Sequence, residues 1–161
     1  MSRQFNLIYC LPLVSLLAPA ADAAGRASAF RSLKAACKAY IVVRINQGNA
    51  ATVTLTPLQG QDVSGTASKA VNALPIWLNN STATSDAYVQ QPAAASFTTD
   101  ATIAEKIVIF EVLPEAAMDM VNGFRSISVT TGASNAANIT SAELLIETDM
   151  PGNLPPSSYI N

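Results

Sequence analysis

The chain has 161 residues, half of them hydrophobic but only 12% charged, against roughly 25% charged in an average soluble domain; a domain of this length has a true core, and disorder is excluded by the aliphatic content. There is no histidine, which excludes Ser-His-Asp and Cys-His nucleophile pairs and every zinc motif that needs imidazole. The net charge of -2 is the sum of +5 over residues 1–44 (Arg3, Arg26, Arg31, Lys34, Lys38 and Arg44 against Asp22) and -7 over the rest (Lys69, Lys106 and Arg125 against ten carboxylates).

Met1 to Ala24 opens with one arginine, runs apolar from Phe5 to Leu17 and has small residues at Ala21 and Ala23, the pattern of a secretory signal with an A-x-A cleavage site. Asn6 and Pro12 interrupt the run, which is also too short for a transmembrane helix of about 20 apolar residues, so no membrane is expected. Residues 1–27 are read instead as an extended assembly arm whose side chains Leu7, Tyr9, Leu11 and Leu13 share one face and pack on a partner. Phe5 and the basic residues Arg3, Arg26, Arg31 and Lys34 join them as the expected partner interface. Basic residues diluted by Ala and Ser, with Phe30 and Tyr40 interleaved and no recognition motif, point to partner-facing charge and away from nucleic acid. Cys10 and Cys37 lack metal-ligand spacing; they read as two small buried hydrophobes or as a disulfide, within the chain or to a neighbouring subunit.

A sandwich domain is expected over residues 28–149. Residues 28–34 and 37–45 read as strands, the second with Cys37, Ala39, Ile41, Val43 and Ile45 on one face. Ala51, Val53 and Leu55 alternate with threonines in a half-buried strand that Pro57 ends. A polar loop follows from Gln59 to Ser68, then a strand at Leu74–Leu78 that sends Trp77 to the core. Asp86–Gln91 and Ala95–Thr99 are short edge pieces. IVIFEV, within Ile103–Leu113, is apolar on both faces and reads as a central strand buried on both sides.

Pro114 starts a short helix, PEAAMDMV, ended at Asn122-Gly123 by a left-handed residue. Phe124–Thr131 alternates with Ile127 and Val129 inward and Ser126, Ser128 and Thr130 outward. Ile139–Thr148 is the last strand, with Ala142, Leu144 and Ile146 inward, and residues 150–161, holding three prolines, form an extended tail. Many short strands separated by turn residues predict an all-β domain, a β-sandwich or jelly roll with an extended N-terminal arm, one short helix and an extended C-terminal tail.

Catalytic chemistry finds little support. Glu115 and Asp119, four residues apart and near Glu111, are the best acid/base candidates, and carboxylates near a helix start are common for dipole reasons alone. No phosphate loop, dinucleotide fingerprint, nucleophile elbow or calcium loop is present, so no cofactor and no metal is expected. Asn80-Ser81-Thr82 and Asn138-Ile139-Thr140 match the glycosylation sequon.

The order of short motifs carries a further expectation. Ser32-Leu33-Lys34, the threonine-alternating strand at 52–56, QDVSGTASKA from Gln61 to Ala70, FTTDA from Phe97 to Ala101, Asn122-Gly123-Phe124 and LPPSSYIN at the end form a succession that resembles small tailed-bacteriophage virion proteins of the capsid decoration, or cement, type. The resemblance implies a non-enzymatic β-domain on the outside of the head, a homotrimer of sister subunits that clamps neighbouring major capsid proteins. The other readings of the same residues are a secreted bacterial surface or fimbrial subunit with a cleaved signal, and a phage tail or head-completion protein.

Overall fold

The structure, a computed structural model, describes residues 7–148. In chain order these form a helical turn α1 (Leu7–Cys10), β1 (Leu13–Ala21), β2 (Arg26–Ala27), β3 (Arg31–Ser32), β4 (Ala36–Gln47), β5 (Thr54–Gly60) and β6 (Lys69–Ala70). They continue with β7 (Leu74–Asn79), β8 (Val89–Ala94), β9 (Phe97–Thr98), β10 (Glu105–Val112), α2 (Pro114–Ala117), a 3-10 turn (Met120–Asn122), β11 (Ser126–Thr131) and β12 (Asn138–Thr148). One sheet, A, has the order β1-β12-β4-β10-β7-β8; the other, B, has the order β2-β11-β5-β6, with β3 also on β11 and β9 on β5. All pairings are antiparallel. The domain is an all-β sandwich.

Period-2 alternation places the core. Ala39, Ile41, Val43 and Ile45 of β4, Val108, Phe110 and Val112 of β10 and Ala142, Leu144 and Ile146 of β12 face inward from sheet A and are essentially inaccessible. Leu55, Ile127 and Val129 meet them from sheet B, equally buried. Each Val, Leu, Ile or Phe side chain among them contributes about 1.5–3 kcal/mol by leaving water.

Residues expected outside the sandwich supply two of its strands. β1 pairs with β12 over Leu13–Ala21, Leu16 and Leu17 are core residues, and β2 pairs with β11. The expected extended conformation also fails at Leu7–Cys10, which is one helical turn closed by the Leu11 amide on the Leu7 carbonyl at 2.7 Å. Arg3, Phe5, the side chain of Tyr9 and the tail 150–161 lie outside the described residues.

Three further expectations are corrected. The strand over 28–34 splits into the two-residue β2 and β3, and Phe30 between them packs against Gly60 and Gly65. Pro57 lies inside β5, opposite Val129. Val129 turns its amide and carbonyl towards Ser28 (3.0 and 2.9 Å), so Pro57 is not asked for a ladder donor to β11; its carbonyl, on the other side, accepts from the Val71 amide at 3.5 Å. The helix over PEAAMDMV stops at Ala117 because Met118 is extended and the Asp119 amide donates to Gln59 Oε1 at 2.7 Å. Gly123, at φ +81°, closes the following 3-10 turn in the left-handed conformation.

Candidate functional site

The strand that is apolar on both faces, β10, sits between β4 and β7 and is covered on one face. Val108, Phe110 and Val112 enter the core, while Ile107 and Ile109 project from the opposite face of sheet A and stay half-buried. Strand register assembles a patch around them. Ile109 stands opposite Val42 and Trp77, and Tyr40 stands opposite Leu145, which in turn stands opposite Leu13. Leu13 is 57% exposed. Outward faces of antiparallel sheets are ordinarily polar, so a contiguous aliphatic and aromatic stripe across β1, β12, β4, β10 and β7 is a candidate interaction surface.

The rim of this face is charged and largely acidic. Glu111 pairs with Lys38 and accepts from Trp77 Nε1 at 3.3 Å. The hydrogen bond to Lys38 holds the Glu111 carboxyl below its ordinary range against the opposing effect of burial, and the same contact with Glu111, helped by Tyr40, raises Lys38. The Lys38 ammonium also lies 5.1 Å from the centroid of the Tyr40 ring. Glu143, Glu147, Glu105 and Arg44 are exposed around the stripe and form no ion pair among the described residues.

The structure separates the residues expected to share an interface. Leu7 and Leu13 are exposed, Leu11 is half-buried and Lys34 is exposed on sheet B's side. Arg26 faces inward: its Nε donates to Asp22 Oδ1 at 2.9 Å, one terminal nitrogen to the Ala18 carbonyl at 2.7 Å and the other to Thr140. Arg31 reaches the Ser15 carbonyl at 3.3 Å, with its Nε buried and unpaired. Two of the four basic residues expected at a partner surface therefore tie β1 to sheet B within the chain.

Cys10 and Cys37 stand as separate half-buried thiols. Cys37 Sγ donates to the Glu147 carbonyl at 3.2 Å. Cys10 ends α1 ahead of β1, Cys37 lies on β4, and β12 runs between β1 and β4.

The carboxylates considered for acid/base chemistry do not converge. Glu115 is exposed, Glu111 belongs to the Lys38–Trp77 cluster, and Asp119 pairs with Lys69 at 2.6 Å while capping the 3-10 turn at Asn122. Lys69, then Asn122, hold the Asp119 carboxyl below its usual range. No group of three His, Cys, Asp or Glu among the described residues is arranged to hold a metal ion. Of the sequon asparagines, Asn138 is fully buried, donating to the Ala51 carbonyl (2.7 Å) and Ser134 Oγ (2.9 Å), and Asn80 donates to Asp100 at 2.7 Å.

Trp77, expected in the core, is on the outward stripe instead; its indole N–H needs a polar partner, and Glu111 supplies one on that face. The signal for the stripe was in the sequence as the two-faced apolarity of IVIFEV. What it lacked was which face the chain itself covers.

No family model matches the chain, and comparisons with curated proteins and with solved structures find no match.

Proposed function

We propose that this chain is a non-enzymatic structural protein of a tailed-phage virion, of the capsid decoration type, which binds the outside of the head and holds neighbouring major capsid proteins together. The observation that carries the reading is the outward face of sheet A, where Leu13, Tyr40, Ile109, Trp77 and Leu145 form an apolar stripe that the described residues leave partly or largely exposed. Clamping requires stiffness and shape-matched apolar surface, and repetition of the contact over a symmetric shell makes a modest affinity per copy sufficient. The resemblance of its order of short motifs to that of decoration proteins supports the same reading.

A secreted subunit cut after Ala23 would lose β1, the core residues Leu16 and Leu17 and the buried Asp22, so the fold weighs against that alternative. The test is the number of copies in purified virions. Hundreds per particle are expected; a dozen or fewer would move the chain to a tail or head-completion position, and none would overturn the reading.

A further inference from the structure

We infer that residues 149–161 turn back onto their own chain and seat Leu154-Pro155-Pro156 in a groove at the α2 end of sheet A. The groove measures about 230 Å³, more than the ~150 Å³ that accommodates a benzene-sized apolar group. Leu74 and Ala117, both buried, form its floor, and the exposed Pro75 and Leu113 its walls. The Lys38–Glu111 ion pair closes one end.

The groove is preformed. β10 stops at Val112, the chain turns through Leu113 into α2, and the short alanine side chains there leave the hollow unfilled. The amide and side chain of Asn72 donate to the Ala117 and Ala116 carbonyls, both at 2.9 Å, and fix α2 against the approach to β7. A rigid groove loses little to reorganisation when it is filled. Tyr40, Ile109 and Leu145 of the stripe do not line it.

The place where the chain leaves the sandwich selects the occupant. Thr148, the last residue of β12, pairs with Ala36 on β4, close to Lys38. β12, β4 and β10 are consecutive in sheet A, so at about 4.8 Å per strand the groove begins within about 10 Å of that exit. The extended chain from Thr148 to Leu154 spans about 20 Å, enough to cross the sheet end and bring Leu154 over the floor. Attachment to the same chain gives the segment an effective concentration of about millimolar, so weak seating suffices.

The chemistry of the segment matches. Residues 150–161 carry no charged side chain and include Met150, Leu154, three prolines, Tyr159 and Ile160. Proline brings no N–H that an apolar floor would leave unpaired. At the rim, Lys38 is engaged by Glu111 and stands opposite Glu147, so the groove holds out no unpaired cation to an acidic partner.

The experiment is methyl NMR on the isolated full-length chain. Nuclear Overhauser contacts from the Leu154 methyls to Leu74 and Leu113 are expected in the wild type. Leu113→Asp and Leu154→Asp are each expected to abolish them, and in Leu113→Asp the Leu154 methyls are expected at the shifts of an unstructured peptide. Contacts between the paired residues Val43 and Val108 control for folding, and Leu154→Asp lies outside the sandwich should Leu113→Asp fail to fold.

Leu154 methyls at unstructured shifts in the wild-type chain overturn the inference. So do contacts to Tyr40 or Trp77 in place of Leu74 and Leu113, which would put the segment on the stripe. Contacts found only between differently labelled copies in a mixed sample would overturn it too, by making the groove a site for a neighbour's segment. None of these results depends on the number of copies in virions, so this inference and the proposed function fail separately.

Discussion

Arg26 Nε donates to Asp22 Oδ1 at 2.9 Å, and that ion pair joins the two sheets. Asp22 is wholly buried and also accepts from the hydroxyls of Thr131 on β11 and Thr140 on β12, at 2.8 and 2.5 Å. The carboxylate is thus fully hydrogen-bonded, the condition under which a buried charge is tolerated. Asp22→Ala leaves the Arg26 Nε and two hydroxyls without this acceptor. Its expected cost is about 3–5 kcal/mol, read from urea unfolding; a change below about 1 kcal/mol would show that the sheets do not depend on this tie.

Acid stability is expected to turn on Asp100. Lys106 donates to it at 2.5 Å from an ammonium with no exposed side-chain surface, and this bond, against the cost of burial and helped by Asn80 and the Thr102 amide, brings the Asp100 carboxyl from 3.8 to about 2. A carboxyl held low in the folded state contributes stability above its ordinary value, and that contribution is lost as pH falls from about 4 towards 2. Half of the Asp100 side chain is exposed, so screening keeps the effect modest. Asp100→Asn is expected to flatten the urea midpoint between pH 4 and 2 without abolishing its slope, because Glu111 and Asp119 are also held low. An unchanged slope would remove Asp100 from the acid limb.

Two glycines with the same backbone should behave differently. Gly65 (φ +78°) would place a Cβ 2.5 Å from the Phe30 ring, whereas Gly123 (φ +81°) has nothing within 4 Å. Gly123→Ala is expected to cost the left-handed backbone term alone, roughly 1–2 kcal/mol. Gly65→Ala should cost more, and the excess should shrink in a Phe30→Ala background, where the clash is gone. Equal costs at the two sites would refute the contact.

Asn138 is expected to stay unmodified if the chain is passed through a glycosylating secretory pathway, despite its sequon. Its amide is buried and committed to Ala51 and Ser134. Mass spectrometry of the folded product checks this, and a glycan at Asn138 would mean that the 134–138 turn opens before β12 is laid down.

The sandwich was legible where one face is apolar and the other polar. Ala39 to Ile45 in β4 and Ala142 to Ile146 in β12 fall inward as their alternation demands. Coverage of the second face was not legible, because alternation identifies a face without saying what lies over it. β10 has an apolar outer face that the chain leaves half open, whereas β11 has serines outward, and Ser126 and Ser128 are buried all the same. Ser126 Oγ is satisfied there by the Gly60 and Asp62 carbonyls, contacts some 65 residues away in sequence that no local pattern announces. The residues after Pro12 read as an arm for a related reason. An edge strand and a free apolar segment have the same composition, and pairing with β12 alone distinguishes them.

Arg26 and Arg31 place guanidinium groups on the Ala18 and Ser15 carbonyls of β1, the border strand of sheet A. Those oxygens are acceptors that an incoming strand would have to use, and both are already occupied. Sheet A is therefore blunted at that border against merging with the sheet of another molecule. Copies crowded together at high local concentration are steered to meet through side-chain surfaces, whose partners are specific, and away from backbone zippering, which any extended chain can join.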